Sequence, residues 1–248
     1  KAMADGMPGM AITDHGNMMG IKEFFYYSKS VNKPIKGEIK DLTKQIKELE
    51  KAEQRDEAKI QELKDALEVA KKKLFKPIFG CEMYVAKGDM HDMSDRTDRG
   101  YHLVVLAKNY QGYKNLIKLV SNAWVDGFYY RARTDREDLE KHKEGLIVCS
   151  ACIGGEIPRK ILAGDLAGAE EACRWYHSVF GDDFYLELQR HEVTDPNVNA
   201  NRETFGLQQE VNNVLIPMAQ REGVKLICTN DVHFEKKEYA EAHDILLC

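Results

Sequence analysis

The chain has 248 residues, of which 43% are hydrophobic and 31% are charged, and its formal net charge is −5. This length allows one large α/β domain or two small ones. The negative charge gives no overall attraction to nucleic acid, so any such contact must be local. No apolar run is long enough to cross a membrane. The six cysteines lack zinc-ribbon spacing, which is typical of a reduced, cytoplasmic protein.

The first predicted strand, Met10–Ile12, ends in the polar turn Thr13–Gly16. Asn17 can cap the helix that follows, which is predicted to run up to about Ser28. His15 therefore lies at the carboxyl end of a strand. A single histidine in this position is ordinarily explained as a turn or capping residue.

The segment Glu38–Leu74 has a different composition from the rest of the chain. Its apolar residues recur at three- and four-residue spacing among Lys, Glu, Gln and Asp, without Gly or Pro, which predicts helices with a narrow apolar seam. Its flanks, Lys33–Gly37 and Lys76–Gly80, are nearly identical and are expected to lie together. An antiparallel helical hairpin turning near Gln54–Glu57 satisfies both observations. It could bind a partner, but packing on itself is the simpler interpretation.

The β pattern resumes at Ile78–Val85 and contains one acidic residue, Glu82. A buried carboxylate without a partner is costly, so Glu82 either faces solvent or is paired with a cation. After a polar loop, Tyr101–Ala107 is predicted as a strand with His102 at its beginning. A helix follows over Tyr110–Val125.

The segment Gly145–Cys152 is predicted as a buried strand followed by small residues. Cys152, at its end, is either a ligand or an inert core thiol. An amphipathic helix within Asp165–Phe180 precedes the strand Asp183–Leu188. A long helix is then predicted over Asn199–Arg221.

The last predicted strand, Val224–Ile227, leads to Asp231 and His233. Residues two apart in an extended chain face the same way, so this carboxylate and this imidazole are expected to point together. Both types bind borderline cations, although a polar turn at the strand end is the alternative. The alternation of strands and helices predicts a parallel α/β architecture with functional residues at the strand ends. Glu82 and His102 do not fit that rule.

Several motifs along the chain resemble those of the polymerase-and-histidinol-phosphatase (PHP) domain. Among members of that family, they most resemble the PHP domains of bacterial DNA polymerase III α subunits. The motifs are Thr13–Asn17, Gly80–Glu82, His102–Tyr113, Ser150–Cys152, Phe184–Gln189 and Thr229–His233. The closing segment Ala242–Cys248 resembles the junction towards the polymerase body. The resemblance covers nearly the whole chain except Glu38–Leu74.

The resemblance implies a distorted (β/α)7 barrel of the PHP type, with the helical hairpin as an insertion at about residues 38–75. It also implies a metal cluster whose ligands are His15, Glu82, His102, Cys152, Asp231 and His233. Such a mixed set of N, O and S donors favours zinc or manganese, whereas magnesium is expected for the polymerase as a whole. Members of the family begin with a strand carrying His-x-His, which the chain from Lys1 onward does not match. We therefore expect a PHP domain without its first strand.

For function, the resemblance implies metal-dependent phosphoester hydrolysis, such as 3′-end proofreading or pyrophosphate cleavage, within a replicative DNA-directed DNA polymerase. The polymerase active site itself is not expected in this chain. The alternative is a structural interaction module with a vestigial metal site. The expected partners are the remainder of the α subunit, DNA through the full-length protein, and other replicase subunits such as the proofreading subunit, with no membrane.

Phosphate recognition is predicted for Arg131, Arg133 and His191 near the mouth of the site. The segment Tyr129–Arg133 interleaves aromatic rings with guanidinium groups, which suit phosphate. A surface loop with ordinary ion pairs is the alternative.

Overall fold

The computed structural model describes residues 1–193 and 204–247. The chain divides into two units, Lys1–Cys81 and Glu82–Cys248. One strand, β2 (Lys76–Val85), passes from the first unit into the second. Within the described residues, no helix combines the length and the apolar character that a membrane span requires.

The first unit contains one strand pair and two long helices. Strand β1 (Gly9–Ile12) runs parallel to the first half of β2, with Gly9 opposite Lys76. Helix α1 (Ile21–Lys51) and helix α2 (Glu57–Lys72) lie between these strands in the chain. Asp56 caps α2 because its carboxylate accepts a hydrogen bond from the backbone N–H of Lys59.

Helices α1 and α2 form the antiparallel hairpin that the sequence predicted. Three side-chain contacts show that the two arms run in opposite directions, because residues later in the second arm contact residues earlier in α1. They join Lys64 to Glu50 at 2.9 Å, Lys73 to Glu38 at 3.4 Å, and Asn32 to Phe75. The apolar seam is buried at Ile46, Ile60, Leu63 and Ala70. Exposed ion pairs contribute little stability, so the seam supplies most of the packing energy.

The structure corrects the length of α1. We predicted a helix ending near Ser28, but α1 continues through Pro34 and Gly37 to Lys51. The near-identical flanks therefore adopt different conformations, since Lys33–Gly37 is helical and Lys76–Gly80 belongs to β2. A proline inside a helix costs about 3 kcal/mol. Here strong helix formers on the carboxyl side outweigh that cost, and Asn32 fixes the preceding turn by bonding both the N–H and the C=O of Phe75 at 2.9 and 2.8 Å.

The second unit alternates strands and helices. Its strands are β3 (Tyr101–Ala107), β4 (Phe128–Tyr129), β5 (Arg131–Thr134), β6 (Leu146–Cys149), β7 (Phe184–Leu188) and β8 (Lys225–Cys228). Its helices are α3 (Tyr110–Val125), α4 (Arg136–Lys141), α5 (Glu156–Leu162), α6 (Leu166–Phe180), α7 (Gly206–Glu222) and α8 (Ala240–Leu247). The predicted helix Asn199–Arg221 is seen as α7, and residues 199–203 lie outside the described residues.

The sheet follows the order β4-β5-β2-β3-β6-β7-β8. Strands β6, β7 and β8 are parallel, as are β2 and β5. Strand β3 is antiparallel to β6, with Val104 opposite Cys149 and Ala107 opposite Leu146, and β4 is antiparallel to β5. The prediction of a parallel sheet is therefore wrong at β3 and β4. The fold class is otherwise the predicted one, a mixed α/β arrangement consistent with the distorted barrel of the PHP type.

The core of the second unit is packed between the sheet and its helices. Leu116 and Leu119 of α3 have no exposed surface, and neither do Val105, Val148 and Leu186 of three different strands. Burying an aliphatic side chain of this size contributes about 1.5–3 kcal/mol. These contacts hold β3, β6 and β7 in fixed positions, which fixes the places of the side chains at their ends.

The hairpin is expected to be removable. Replacing Glu38–Leu74 with a short glycine linker between Gly37 and Phe75 should leave the protein folded, because the lost seam packs within the hairpin and the contact of Asn32 with Phe75 remains. Far-UV circular dichroism should lose helical signal, while thermal unfolding stays a single cooperative transition. A deletion variant that cannot fold would contradict this prediction.

Candidate metal centre

His102 is the centre of a cluster of three potential ligands in the second unit. Its Nδ1 atom lies 2.7 Å from Oε1 of Glu82 and 3.5 Å from Sγ of Cys152. Glu82 is buried at 4% exposure, and His102 is partly buried. The sequence left open whether Glu82 faces solvent or is paired. The structure shows that its carboxylate is buried and paired with His102.

The reversed direction of β3 explains the position of His102. Since β3 is antiparallel to β6, the beginning of β3 lies beside the carboxyl end of β6. A separate parallel bridge joins His102, in β3, to Gly155 in the segment after β6, and the N–H of His102 donates to the carbonyl of Gly154 at 3.0 Å. His102 and Cys152 therefore meet at the same edge of the sheet.

A tight turn after β6 presents Cys152. Ala151 adopts a left-handed backbone conformation, with φ of 62°, which residues with a side chain rarely adopt. The N–H of Gly154 donates to Sγ of Cys152 at 3.4 Å, and the N–H of Gly155 donates to the carbonyl of Cys152 at 2.9 Å. These bonds hold the sulfur at the edge of the sheet instead of in the core.

The surroundings of Cys149 and His102 shift the pKa values of both side chains. Burial, helped by the charge of Glu187, raises the pKa of the Cys149 thiol to about 12, so Cys149 remains protonated in the core. Burial opposes protonation of His102, but the hydrogen bonds with Cys152 and Glu82 outweigh it and raise its pKa to about 9. Glu82 and Cys152 therefore favour a positive charge on the imidazole of His102, and they would favour a bound cation at this place for the same reason.

The three side chains fit a transition metal. The carboxylate oxygen of Glu82 and the sulfur of Cys152 each lie within hydrogen-bonding distance of the imidazole nitrogen of His102. Zinc accepts all three donor types, whereas magnesium and calcium prefer oxygen ligands alone. The donor set is thus compatible with zinc, and the identity of the metal stays a prediction.

His15 belongs to the first unit and lies in the exposed turn after β1. Its carbonyl accepts a hydrogen bond from the side chain of Asn17 at 2.9 Å, and the carboxylate of Asp14 accepts from the N–H of Gly20 at 3.0 Å. These bonds shape the turn through the neighbours of His15. Its role as a ligand stays a prediction.

Asp231 and His233 lie beyond β8, which ends at Cys228. Asp231 has a left-handed φ of 47°, so the expectation of an extended chain with both side chains on one face is wrong here. Nδ1 of His233 lies 2.8 Å from the carbonyl of Asp231, and its ring is 5.6 Å from that of His243. Within the described residues, Asp231 and His233 join no set of three or more ligand atoms lying within 4.8 Å of one another. Their role as ligands also stays a prediction.

Arg131 lies close to the cluster through Tyr84. The ring of Tyr84 meets the His102 ring edge-on, with centroids 5.2 Å apart. Its hydroxyl accepts a hydrogen bond from Nη1 of Arg131 at 3.0 Å, and the guanidinium stands 5.1 Å from the Tyr84 ring. An exposed guanidinium next to the candidate ligands is consistent with the predicted phosphate contact.

Arg133 has different surroundings, although it lies only two residues further along β5. Its side chain has no exposed surface. Nη1 pairs with Asp98 at 2.9 Å, and Nη2 donates to the carbonyls of Met90 and Asp92 at 2.9 and 3.2 Å. These bonds favour a structural role over phosphate recognition, because the guanidinium already serves buried acceptors.

His191 also uses both of its ring nitrogens. Nε2 lies 2.7 Å from the carbonyl of Asn230, and Nδ1 lies 2.8 Å from Nε2 of Gln208. The bond to a carbonyl requires Nε2 to donate, so Nδ1 accepts from Gln208. His191 therefore connects α7 with the segment after β8, and phosphate binding by this ring stays a prediction.

The sequence reasoning missed three residues that shape the cluster, namely Tyr84, Gly154 and Glu187. Glu187 carried a usable signal, since it is an acidic residue in an apolar strand, as Glu82 is. Gly154 and Tyr84 carried none, because their importance comes from contacts with His102 across the fold.

A sequence model of the PHP domain matches residues 1–191. The chain therefore belongs to the PHP domain family. Proteins named DNA polymerase III subunit alpha are similar to it: that of Borreliella burgdorferi is 39% identical over 100% of this chain and 17% of its own length. That of Treponema pallidum is 43% identical over 70% of this chain and 14% of its length, and that of Thermus aquaticus 35% over 97% and 16%. The chain thus spans only 14–17% of these relatives.

Replacing Gly154 with alanine is expected to disturb His102. A Cβ atom on Gly154 would lie 3.0 Å from Nδ1 and 3.1 Å from Cγ of His102, so the imidazole must shift. Changes beside metal ligands lower affinity by about 10–100-fold, and zinc affinity, measured by competition with a chelator, should fall by about tenfold or more. Gly88→Ala is the control, since its Cβ would meet no atom within 4 Å. Equal zinc affinities for the two variants would contradict the prediction.

Arg133→Ala and Arg131→Ala should differ sharply in stability. Removing Arg133 leaves Asp98 buried without its cation, which lowers the free energy of unfolding by about 3–5 kcal/mol. Removing the exposed Arg131 should change it by less than about 1 kcal/mol. Urea denaturation of both variants measures the difference. Similar stabilities would show that the buried ion pair is not as important as its geometry indicates.

Proposed function

We propose that this chain is the PHP domain of the α subunit of a replicative DNA polymerase, acting in the cytoplasm, and that it binds zinc or manganese and hydrolyses phosphoesters. The observation that carries the metal proposal is the contact of Glu82, His102 and Cys152 through oxygen, nitrogen and sulfur. The polymerase context is supported by the curated relatives, which carry the name DNA polymerase III subunit alpha.

Each of the three side chains has a distinct part in the proposal. Cys152 and His102 bind the ion directly, and Glu82 either binds it or orients the imidazole of His102. His15, Asp231 and His233 are proposed as further ligands on the strength of the family motifs. A bound divalent ion would make a water molecule more acidic and neutralise charge on phosphate oxygens.

Arg131 is proposed to bring the substrate to the cluster. Its guanidinium is exposed and is held beside His102 by Tyr84, and it matches the charge and geometry of a phosphate group. With the net charge of −5, such local attraction is needed for an anionic substrate. The proposed substrates are the 3′ end of a DNA strand or pyrophosphate.

The second candidate function is a structural interaction module that keeps a vestigial site. It is favoured by the positions of Asp231 and His233, which contact each other instead of joining Glu82 and His102 in one compact group of the described residues. In this role the proposed partners are the rest of the α subunit, which would contact DNA and a separate proofreading subunit.

Metal binding and hydrolysis can be tested separately. The protein is stripped with a chelator and then titrated with zinc and with manganese. Cys152→Ser and Glu82→Gln should each weaken zinc binding by about tenfold or more, whereas Cys228→Ser is the matched control because Cys228 is an exposed free thiol. Wild-type protein that binds no metal, or variants with unchanged affinity, would overturn the metal site.

Hydrolysis is then measured with the metal-loaded protein on single-stranded DNA labelled at the 3′ end and on pyrophosphate. Release of nucleotide or phosphate that Cys152→Ser abolishes and Cys228→Ser retains would support the phosphoesterase. Tight zinc binding with no release from either substrate would favour the structural module instead.

A further inference from the structure

Glu187 is a buried carboxylate with no place in the ligand set. It lies in β7, between β6 and β8, with 5% of its surface exposed. A buried carboxylate is costly unless hydrogen bonds satisfy it. No cation pairs with Glu187 among the described residues, so its neighbours must supply donors.

One oxygen of Glu187 holds the turn that presents Cys152. Oε2 accepts a hydrogen bond from the N–H of Ala151 at 3.0 Å, and the N–H of Glu187 donates to Oγ of Ser150 at 2.8 Å. Ala151 is the residue with the left-handed φ of 62°. A rarely populated backbone conformation persists only where its surroundings impose it. The carboxylate of Glu187, on β7, helps to impose this conformation by accepting the hydrogen bond from Ala151.

The other oxygen of Glu187 holds the beginning of the segment that carries Asp231 and His233. Oε1 accepts a short hydrogen bond from the hydroxyl of Thr229 and a second one from Nε2 of Gln189 at 3.3 Å. The N–H of Thr229 also donates to the carbonyl of Leu188 at 3.2 Å. Thr229 is thereby fixed to the end of β7, two residues before Asp231.

We infer that Glu187 is a positioning residue for the proposed metal site: it holds the turn that presents Cys152 and the beginning of the segment that carries Asp231. The inference rests on the proposed metal site. Its physical basis is that one buried group bonds two separate chain segments, so neither can move without breaking a buried hydrogen bond. Glu187 itself is not required to touch the ion.

The test uses Glu187→Ala, Glu187→Gln and Thr229→Val, with Asp138→Asn as the matched control. Asp138 is an equally buried acid of the second unit, bonded to Asn122 and Thr134 and to none of the candidate ligands. Thermal unfolding measures stability for all variants. Zinc affinity is measured by chelator competition, and the alkylation rate of Cys152 in metal-free protein by peptide mass spectrometry.

Glu187→Ala is expected to weaken zinc binding by about 10–100-fold and to change the alkylation rate of Cys152 several-fold, while Asp138→Asn alters stability alone. Glu187→Gln should weaken zinc binding less than Glu187→Ala, because the amide keeps one acceptor oxygen. If Glu187→Ala does not fold, zinc affinity and the alkylation rate of Cys152 are compared between Asp138→Asn and the two variants Glu187→Gln and Thr229→Val. Zinc affinity and Cys152 reactivity equal to those of Asp138→Asn would overturn the inference.

The two proposals fail in different ways. Wild-type protein that binds no zinc would refute the metal site, yet the alkylation rate would still report whether Glu187 fixes the turn of Cys152. Normal zinc binding and normal Cys152 reactivity in every Glu187 variant would refute the positioning role and leave the metal site intact.

Discussion

The antiparallel pairing of β3 with β6 is the constraint on which the candidate site depends. Were β3 parallel to its neighbour, its first residue would lie at the opposite edge of the sheet from Cys152. Because β3 is reversed, His102 meets the turn after β6, and its N–H and ring both contact that turn. Glu82 then completes the cluster at 2.7 Å. The meeting of His102 with the other two candidate ligands thus depends on the direction of one strand.

The second unit buries several charged groups, and each one is satisfied in its own way. Glu82 is paired with an imidazole, Glu187 with backbone, hydroxyl and amide donors, and Arg133 with Asp98 and two carbonyls. Removing a charge from water is costly, so each of these networks must form completely as the chain folds. Two of them surround the candidate site. The arrangement that holds the candidate ligands is thus also part of what makes the fold specific.

The helical hairpin illustrates how context decides local conformation. Lys33–Gly37 and Lys76–Gly80 share four of five residues, yet one lies within α1 and the other in β2. The first continues into a long run of strong helix formers. The second is followed by apolar residues that are buried in the sheet. Intrinsic preference is a weak guide where tertiary packing opposes it.

The sequence alone determined the alternation of strands and helices, the hairpin with a turn predicted near Gln54–Glu57, and the need of Glu82 for a partner. These features depend on local periodicity and on the cost of burying charge, which the sequence records directly. The family motifs also predicted Cys152 and His102 as ligands of one site, and the two side chains are in contact.

Only the tertiary structure decided which of these residues meet. Arg131 and Arg133 are two apart on one strand, so a local pattern gives them the same face. The loop that supplies Met90, Asp92 and Asp98 covers Arg133 and leaves Arg131 exposed. Likewise, the direction of β3 and the left-handed turn at Ala151 follow from pairing between segments far apart in the chain. Contacts of this kind depend on topology, which local periodicity does not encode.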